Sequence, residues 1–572
     1  MRLSWLAAVV MVGAGCGSVS YDPAPIGSSP GIELDGAQGS ASLAEIRRAA
    51  QRQDYAGVAQ LASALDPSTL AQWSDQERNE VWRLLGQAWL QLGDVQAAQS
   101  AIAQLTAREA EDYLLIAQVC ETAEEHTCAA DGYIQASIAY GYQHPALPVD
   151  VHDRIWRALT AARATDGQLG PAVFSHRYHQ AWWQLQRNLR NAVSVQAHID
   201  AWQSWRARNP SHPATLSPPA AFANYSQYRV PKVGVILPLS GQLASAGQAA
   251  RDGFIAAVLA HNRAQPENFE AVFYDSAAQS LGVIAERIEQ DGVDAVVGPL
   301  LKNNAEQFAA ISPTLNRPVL LLNYVGDLSA PTRAGDPYQL GMAIEDEATS
   351  LSDHVLDRGH KKILIVHSEA RWALRALESI RQQWPYPLIS APFADIAALT
   401  DSVGEAMDVD ASHRRLNEIA AIIEKPVEFS PRARGDLDGV VALTNQTESL
   451  SLVPALRFHF AEHLPLYATS QALRGNKTGE LTQFQVTEMP LHLGATPTMA
   501  ELTRTYGLQN SALSELYALG HDAMQIAAWL PILSPNLPLS ISGASGMLNL
   551  EPGGRFRRTL TVVQPSPTAA GD

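Results

Sequence analysis

The chain has 572 residues, 46% of them hydrophobic and 17% charged. At about 150 residues per compact unit, that argues for several folded bodies and against disorder throughout. Lys and Arg number 41 against 58 Asp and Glu, a net charge of -17, which excludes a general nucleic-acid binder because such affinity comes from neutralising phosphates. Three cysteines are too few for a disulfide scaffold or a Cys-rich zinc module. Beyond the N-terminus no apolar run reaches the ~18 residues of a spanning helix. The best later stretch, Leu516 to Leu533, is interrupted by His521 and Asp522.

The chain opens with Arg2, an apolar stretch from Leu3 to Val12, the small residues Gly13, Ala14 and Gly15, and then Cys16. This is the layout of an export signal with a small-residue cleavage site. It resembles a bacterial lipobox at three of four positions; the departure is Gly13, where leucine is commoner. The resemblance implies a signal peptide over residues 1–15 and lipidation of Cys16, which becomes the new N-terminus. The alternative is an ordinary cleaved signal followed by an incidental cysteine. Gly17 stands where an aspartate would signal retention in the inner membrane, so the usual sorting pattern implies an outer-membrane anchor. More than one acyl chain on Cys16 gives stable attachment, at ~0.8 kcal/mol per buried CH₂. Residues 16–40 are rich in Gly, Ser, Pro and Ala and read as a flexible tether.

Residues 41–208 read as helical, with Ala, Leu and Gln dominant and eight of the chain's twelve tryptophans. So many large rings imply packing between stacked helices. Trp82, Leu85, Gly86 and Trp89, then the turn Gly93-Asp94 and the small Ala98, resemble a tetratricopeptide helix-turn-helix unit, with Gly86 and Ala98 allowing close approach. A generic α-hairpin domain is the alternative. Either presents a partner surface. Cys120 and Cys128 flank a polar interval that suits a turn between helices. In an oxidising periplasm they are expected to pair. Two free thiols, or a metal pair with Glu124, Glu125 and His126, are the other readings.

Pro210, Pro213, Pro218 and Pro219 mark a boundary, and residues 209–230 read as a Pro-rich linker. Short apolar runs then alternate with amphipathic stretches. Val233 to Leu239, Ala271 to Tyr274, Ala295 to Val297, Val319 to Leu322, Ile363 to Val366 and Val440 to Leu443 read as buried strands. Gln248 to His261, Ile284 to Asp291, Asn303 to Leu315, Glu345 to Leu356 and Leu450 to Glu462 read as helices. That alternation predicts parallel sheets covered on both faces. The opening VGVILPLSGQLASAGQAARDGFIAAV, the later DAVVGPLLKNN and PLYATSQ, and the closing GASGMLNLEPGGRFRRTLTVVQ resemble type I periplasmic binding proteins. The resemblance implies a two-lobed α/β unit over residues 231–564, with residues 565–572 as a disordered tail. The fold class expected is therefore α followed by α/β.

Within that superfamily GPLLKNN, LDGVVALTNQ, LPLYATSQ, VTEMPLHL and LYALGHDA, in this order behind a lipobox and a helical half, resemble the family of outer-membrane lipoprotein activators of penicillin-binding proteins. The resemblance implies a periplasm-facing, outer-membrane-anchored protein that crosses the peptidoglycan layer. There it stimulates the transpeptidase of a bifunctional class A penicillin-binding protein. It implies no cofactor and no nucleic-acid partner. The competing reading is a solute-binding lipoprotein that captures a small ligand between its lobes.

In doubly wound sheets ligands sit beyond the carboxyl ends of strands. The candidate interlobe residues are Ser240, Gly241, Asn323, Tyr324, Thr469 and Ser470. Leu300 and Leu301 follow the Gly298-Pro299 turn and supply no hydrogen bonds to a ligand carboxylate, which weighs against a transport receptor. Ser240 and Tyr324 equally suit a role in satisfying strand ends. No G-x-S-x-G elbow, H-E-x-x-H, Walker loop or S-x-x-K set is present, so an enzyme is not expected. Glu345, Asp346 and Glu347 read as an acidic run complementing a helix dipole. Arg555, Arg557 and Arg558 read as a small basic patch on a terminal strand.

Overall fold

The computed structural model describes residues 42–565, apart from 107, 163–174, 193, 266, 327, 334, 424–432, 475–480, 509–512, 535–536, 538 and 552. The expected signal peptide over residues 1–15, Cys16, the tether over 16–40 and nearly all of the expected tail lie outside the described residues.

From Leu43 to Arg208 the described elements are helices. Local sequence sets their ends. Ser42 with Glu45, and Ser74 with Glu77, form capping boxes that satisfy the first free N–H groups. Gly93 ends the Asp75–Leu92 helix in the left-handed region at φ 82°. Gly86 faces Ala101 and Ile102 of the helix that follows. The tryptophans do pack between helices: Trp156, Trp182 and Trp205 are fully buried. Trp205 donates its indole N–H to the Ala181 carbonyl at 2.9 Å, which satisfies that buried donor.

The Pro-rich stretch ends the long helices but stays packed. Phe222 stacks on Trp202 with ring centres 4.1 Å apart, and Tyr225 is buried beside it. His212 accepts the Ala214 N–H at the start of the short Pro213–Leu216 helix. Its ring meets Trp182, Trp205 and Tyr178 edge-on.

The second half follows the expected alternation. Among the described residues its strands are β1 (Lys232–Leu237), β2 (Glu270–Asp275), β3 (Ala295–Val297), β4 (Val319–Leu321), β5 (Pro337–Leu340), β6 (Ile363–Ser368), β7 (Ile389–Phe393), β8 (Gly439–Leu443), β9 (Leu466–Ala468), β10 (Phe484–Glu488), β11 (Ser540–Ser542), β12 (Met547–Leu550), β13 (Arg555–Thr559) and β14 (Thr561–Val563). They form an eight-stranded sheet in the order β11-β12-β13-β5-β4-β3-β1-β2 and a six-stranded sheet in the order β14-β10-β9-β8-β6-β7. The pairs from β13 through β5, β4, β3 and β1 to β2 are parallel, and so are those from β10 through β9, β8 and β6 to β7. Two lobes follow. The chain passes between them after β5, after β10, and between β13 and β14, where only Leu560 intervenes.

The first lobe shares its core with the helical half. One continuous apolar cluster runs from Ala98 and Trp156 through Phe222 to Val235, Phe254 and Trp529. Within it the Ala244–Ala264 and Ser514–Trp529 helices touch backbone to backbone. A Cβ on Gly253 would lie 1.9 Å from the Tyr517 carbonyl oxygen, and one on Gly520 1.8 Å from that of Ala250. Only glycine fits either position.

Buried imidazoles make the seam between the halves sensitive to acid. Burial pushes His198 and His212 down to about 4, and His198 packs edge-on against Trp529. A base whose folded pKa lies below its unfolded value contributes stability above the ordinary 6.5 and loses it as pH falls toward 4. Each should therefore cost on the order of 1–2 kcal/mol between pH 7 and pH 5. Tryptophan-fluorescence unfolding curves should show the helical half losing stability over that interval. Replacing His198 with glutamine should flatten the loss.

Candidate functional site

The carboxyl ends of the first-lobe strands are set by one turn. Gly298 adopts φ 96°, and a Cβ there would lie 2.3 Å from the Ile236 carbonyl oxygen. Glycine thus lets the β3 turn close against β1 and places Leu300 beside the interlobe gap. There a cavity of about 750 Å³ opens, within the range of small-molecule sites. Its floor includes Leu300, Leu322 and Met342. One side carries Lys302, Arg555 and Arg557 of the first lobe. The other carries Glu345 and the face of the Arg371–Gln383 helix with Arg375 and Glu378.

Two of the sequence-selected residues line it. Tyr324 donates its hydroxyl to the Phe556 carbonyl at 2.6 Å and lies 3.3 Å from Asp346 Oδ2; burial holds its phenol above the ordinary range. Asn323 donates its amide to the Leu300 carbonyl at 3.1 Å. The others are not among the cavity's lining residues. Ser240 hydrogen-bonds Asp275, and Gly241 begins the short helical turn after it. Thr469 is fully buried. Ser470 donates its backbone N–H to Glu347 Oε2 at 2.9 Å. Leu300 does line the floor, but the walls are charged rather than leucine-filled.

Sequence reasoning missed how the acidic run is used. Glu345, Asp346 and Glu347 begin the Ile344–Asp357 helix, yet each points elsewhere. Glu345 reaches Arg375 at 3.5 Å. Asp346 reaches Arg558 Nε at 3.4 Å, both side chains buried. Glu347 accepts Thr487 Oγ1 at 2.9 Å. The expected three-arginine patch also divides, because β13 alternates its side chains between faces. Arg555 and Arg557 are exposed and Arg558 is buried. Arg555 lies 4.6 Å above the Tyr324 ring, and Arg557 pairs with Glu551 at 2.9 Å. Proximity in space, not in sequence, would have been needed to see this.

Away from the cavity, Asp522 of the Ser514–Trp529 helix accepts the backbone N–H groups of Ala544 and Ser545, fixing the β11–β12 hairpin. In the helical half the structure brings Cys120 and Cys128 together, sulfur to sulfur at 2.03 Å with Cα atoms 5.7 Å apart. Among the described residues no helix is long and apolar enough to cross a membrane.

Burial pushes the Asp346 carboxyl up to about 6, against the opposing pull of Arg558. Removing one member of a buried pair leaves an uncompensated charge, so Arg558→Met should cost about 3–5 kcal/mol, read as a shift in the denaturant midpoint. Adding Asp346→Leu should restore most of it. A carboxyl raised in the folded state contributes stability below its ordinary 3.8 and loses it as pH rises through about 6. The Arg558→Met loss should therefore be smaller at pH 5 than at pH 8.

The family described as "LppC putative lipoprotein" matches residues 75–565. The penicillin-binding protein activator LpoA of Vibrio antiquarius (strain Ex25) is 26% identical over 380 residues, covering 63% of this chain and 62% of that protein. The match thus spans less than two thirds of that relative's length. LpoA of Vibrio vulnificus (strain YJ016) is 24% identical over 428 residues, 72% of this chain and 70% of that protein. Among solved structures, a monoclinic form of Haemophilus influenzae LpoA has a TM-score of 0.62 at 19% identity, covering 91% of this chain and 92% of that one. A second monoclinic form has a TM-score of 0.56 at the same identity, covering 94% and 98%. These likenesses show the fold: a helical half followed by a two-lobed α/β unit.

Proposed function

The chain belongs to the LppC lipoprotein family, and from that premise we propose that it is a lipid-anchored activator of peptidoglycan synthesis. It binds a bifunctional class A penicillin-binding protein in the periplasm and raises its transpeptidase activity. It performs no chemistry of its own and needs no cofactor. The observation that carries this reading is the family match across residues 75–565, which takes in both halves in one order. Relatives matched over much of the same stretch carry the activator name.

The mechanism is allosteric. The activator binds one conformation of the synthase more tightly than another, and its effect equals that difference in affinity. The helical half is tetratricopeptide-like and offers a surface for partners or for peptidoglycan. Because its core is continuous with the first lobe, the two move as one body. Cys16 carries the lipid, residues 1–15 are removed as a signal peptide, and residues 16–40 span from the outer membrane. Cys120 and Cys128 form a periplasmic disulfide that ties the Ala110–Thr122 helix to the His126–Tyr140 helix.

Purified mature protein should accelerate peptide cross-linking by a class A synthase several-fold and release no fragments from peptidoglycan alone. Unchanged cross-linking at saturating protein would overturn the activator reading. Cys16→Ala should leave folded protein that no longer sediments with outer membranes. Continued membrane retention would remove the anchor. Peptide mapping without reductant should recover Cys120 and Cys128 in one linked fragment, and two freely alkylated thiols would refute the bridge.

A further inference from the structure

A second cavity, of about 810 Å³, lies at the seam between the helical half and the first lobe. Along one side of it runs β11, the outermost strand of the eight-stranded sheet, paired only with β12. All three of its residues, Ser540, Ile541 and Ser542, line the cavity. Successive side chains of a strand point to opposite faces, so three in a row border one space only where the strand's edge opens into it. The ladder fixes which backbone groups lie on that edge. Gly543 donates its N–H to the Gly546 carbonyl at 2.9 Å and Leu550 donates to the Leu539 carbonyl at 3.1 Å, in a register that sets Ile541 opposite Leu548. Hydrogen-bonded pairs alternate along an antiparallel ladder. Ile541 therefore bonds β12, and the N–H and C=O groups of Ser540 and Ser542 point outward. Among the described residues those groups have no hydrogen-bond partner on the outer side.

The remaining walls are apolar at Val195, Ala257, Met524 and Trp529. Met547, opposite Ser542 on β12, is 42% exposed. Arg190 also borders the cavity. It donates to the Ala162 carbonyl at 2.7 Å and, among the described residues, forms no ion pair. We propose that this cavity takes an extended peptide segment of a partner protein, one that joins β11 as an added strand and carries apolar side chains and a carboxylate. Its main chain exchanges hydrogen bonds with Ser540 and Ser542, its alternate apolar side chains pack toward Met524 and Trp529, and its carboxylate meets Arg190. A small apolar molecule would leave the free edge unanswered, whereas a peptide main chain matches it group for group. The carboxylate supplies the counter-charge that the guanidinium lacks, in a geometry that an arginine fork suits. With a chain charge of -17, an acidic segment is drawn by this local cation and not by general attraction, which makes the site selective.

No synthase enters the test, so its outcome is independent of the activator reading. Calorimetric titration of the full mature chain with the capped hexapeptide acetyl-Thr-Val-Ser-Leu-Ser-Asp-amide should give saturable binding. Alternate N–H groups of a strand point to the same edge. Methylating the Val and Leu amides, or instead the two Ser amides, should therefore give two forms at least tenfold apart in affinity. Exchanging Asp for Asn in the peptide, or Arg190→Gln in the protein, should weaken binding about tenfold. The Ser542 N–H lies outside the ladder, so Ser542→Pro removes an edge donor while keeping the β11–β12 bonds. It too should weaken binding at least tenfold, with the thermal midpoint little changed. Absence of saturable heat in the millimolar range would overturn the proposal, as would equal affinity of the two methylated forms or unaltered affinity in Arg190→Gln. So would a concentration-dependent dimer in sedimentation that Ser542→Pro abolishes, since the edge would then belong to a second copy of this chain.

Discussion

The buried contact between Asp346 and Arg558 fixes the two-lobed half more than any other single interaction. Asp346 stands at the start of the helix that carries the chain out of the first lobe. Arg558 lies on β13, the strand that precedes the last passage between the lobes. Arg558 also donates to the Ala343 carbonyl at 3.0 Å, and its backbone approaches Asp346 at 3.4 Å. A charge removed from water is tolerated only when paired and hydrogen-bonded, so the two crossings are held in one relative position. With Arg558 turned inward, the pleat sends Arg555 and Arg557 outward, and the basic wall of the cavity follows from that register.

The parallel sheets were legible because their strands are buried on both faces and read as continuous apolar runs. Val233, Val235, Ile236 and Leu237 show this in β1, and Val440 to Leu443 in β8. Less was legible where a strand is short or carries proline. β5 begins at Pro337, and the edge strand β7 holds Pro392, residues that count against a strand in any local reading. Helix ends shifted for similar local reasons. The expected helix over Asn303 to Leu315 stops at Ile311 and tightens into a 3₁₀ turn containing Pro313. The helix expected from Leu450 starts instead at Gln446, because Asn445 and Glu448 form a capping box there.

The site itself was only half visible. Asn323 and Tyr324 follow a buried strand and were found by the rule that ligands gather at strand ends. Ser240, Thr469 and Ser470 obey the same rule yet lie elsewhere: Ser240 bonds Asp275, the Ser470 backbone bonds Glu347, and Thr469 is fully buried. The charged walls come from a helix face and a closing strand that are 177 residues apart at Glu378 and Arg555. Composition and periodicity hold no information about that meeting. Leu300, after the Gly298-Pro299 turn, offers no hydrogen bond on the cavity floor, but it could not show the arginines that line the same cavity.

A contrast in packing decides where this molecule can change shape. From Ala98 onward the helical half and the first lobe share one apolar core, closed by backbone contact at Gly253 and Gly520 and braced by the Tyr228 hydroxyl on the Ala528 carbonyl, while the first helices bury a cluster of their own. Separating them would expose that core to water, at roughly 25 cal/mol for each Å². The second lobe has its own cores on the two faces of its sheet, and the passages to the first carry a small apolar cluster with Met489, Leu491 and Leu560 beside polar contacts. Leu560 donates to Ser350 there, and Arg474 pairs with Glu515. Polar contacts exchange with water at small net cost, about 1 kcal/mol each. The gap between the lobes, where the opposed charges lie, is thus less tightly sealed than the contact between the helices and the first lobe. A protein that engages both walls would alter the presentation of the second lobe without opening the core shared by the helices and the first.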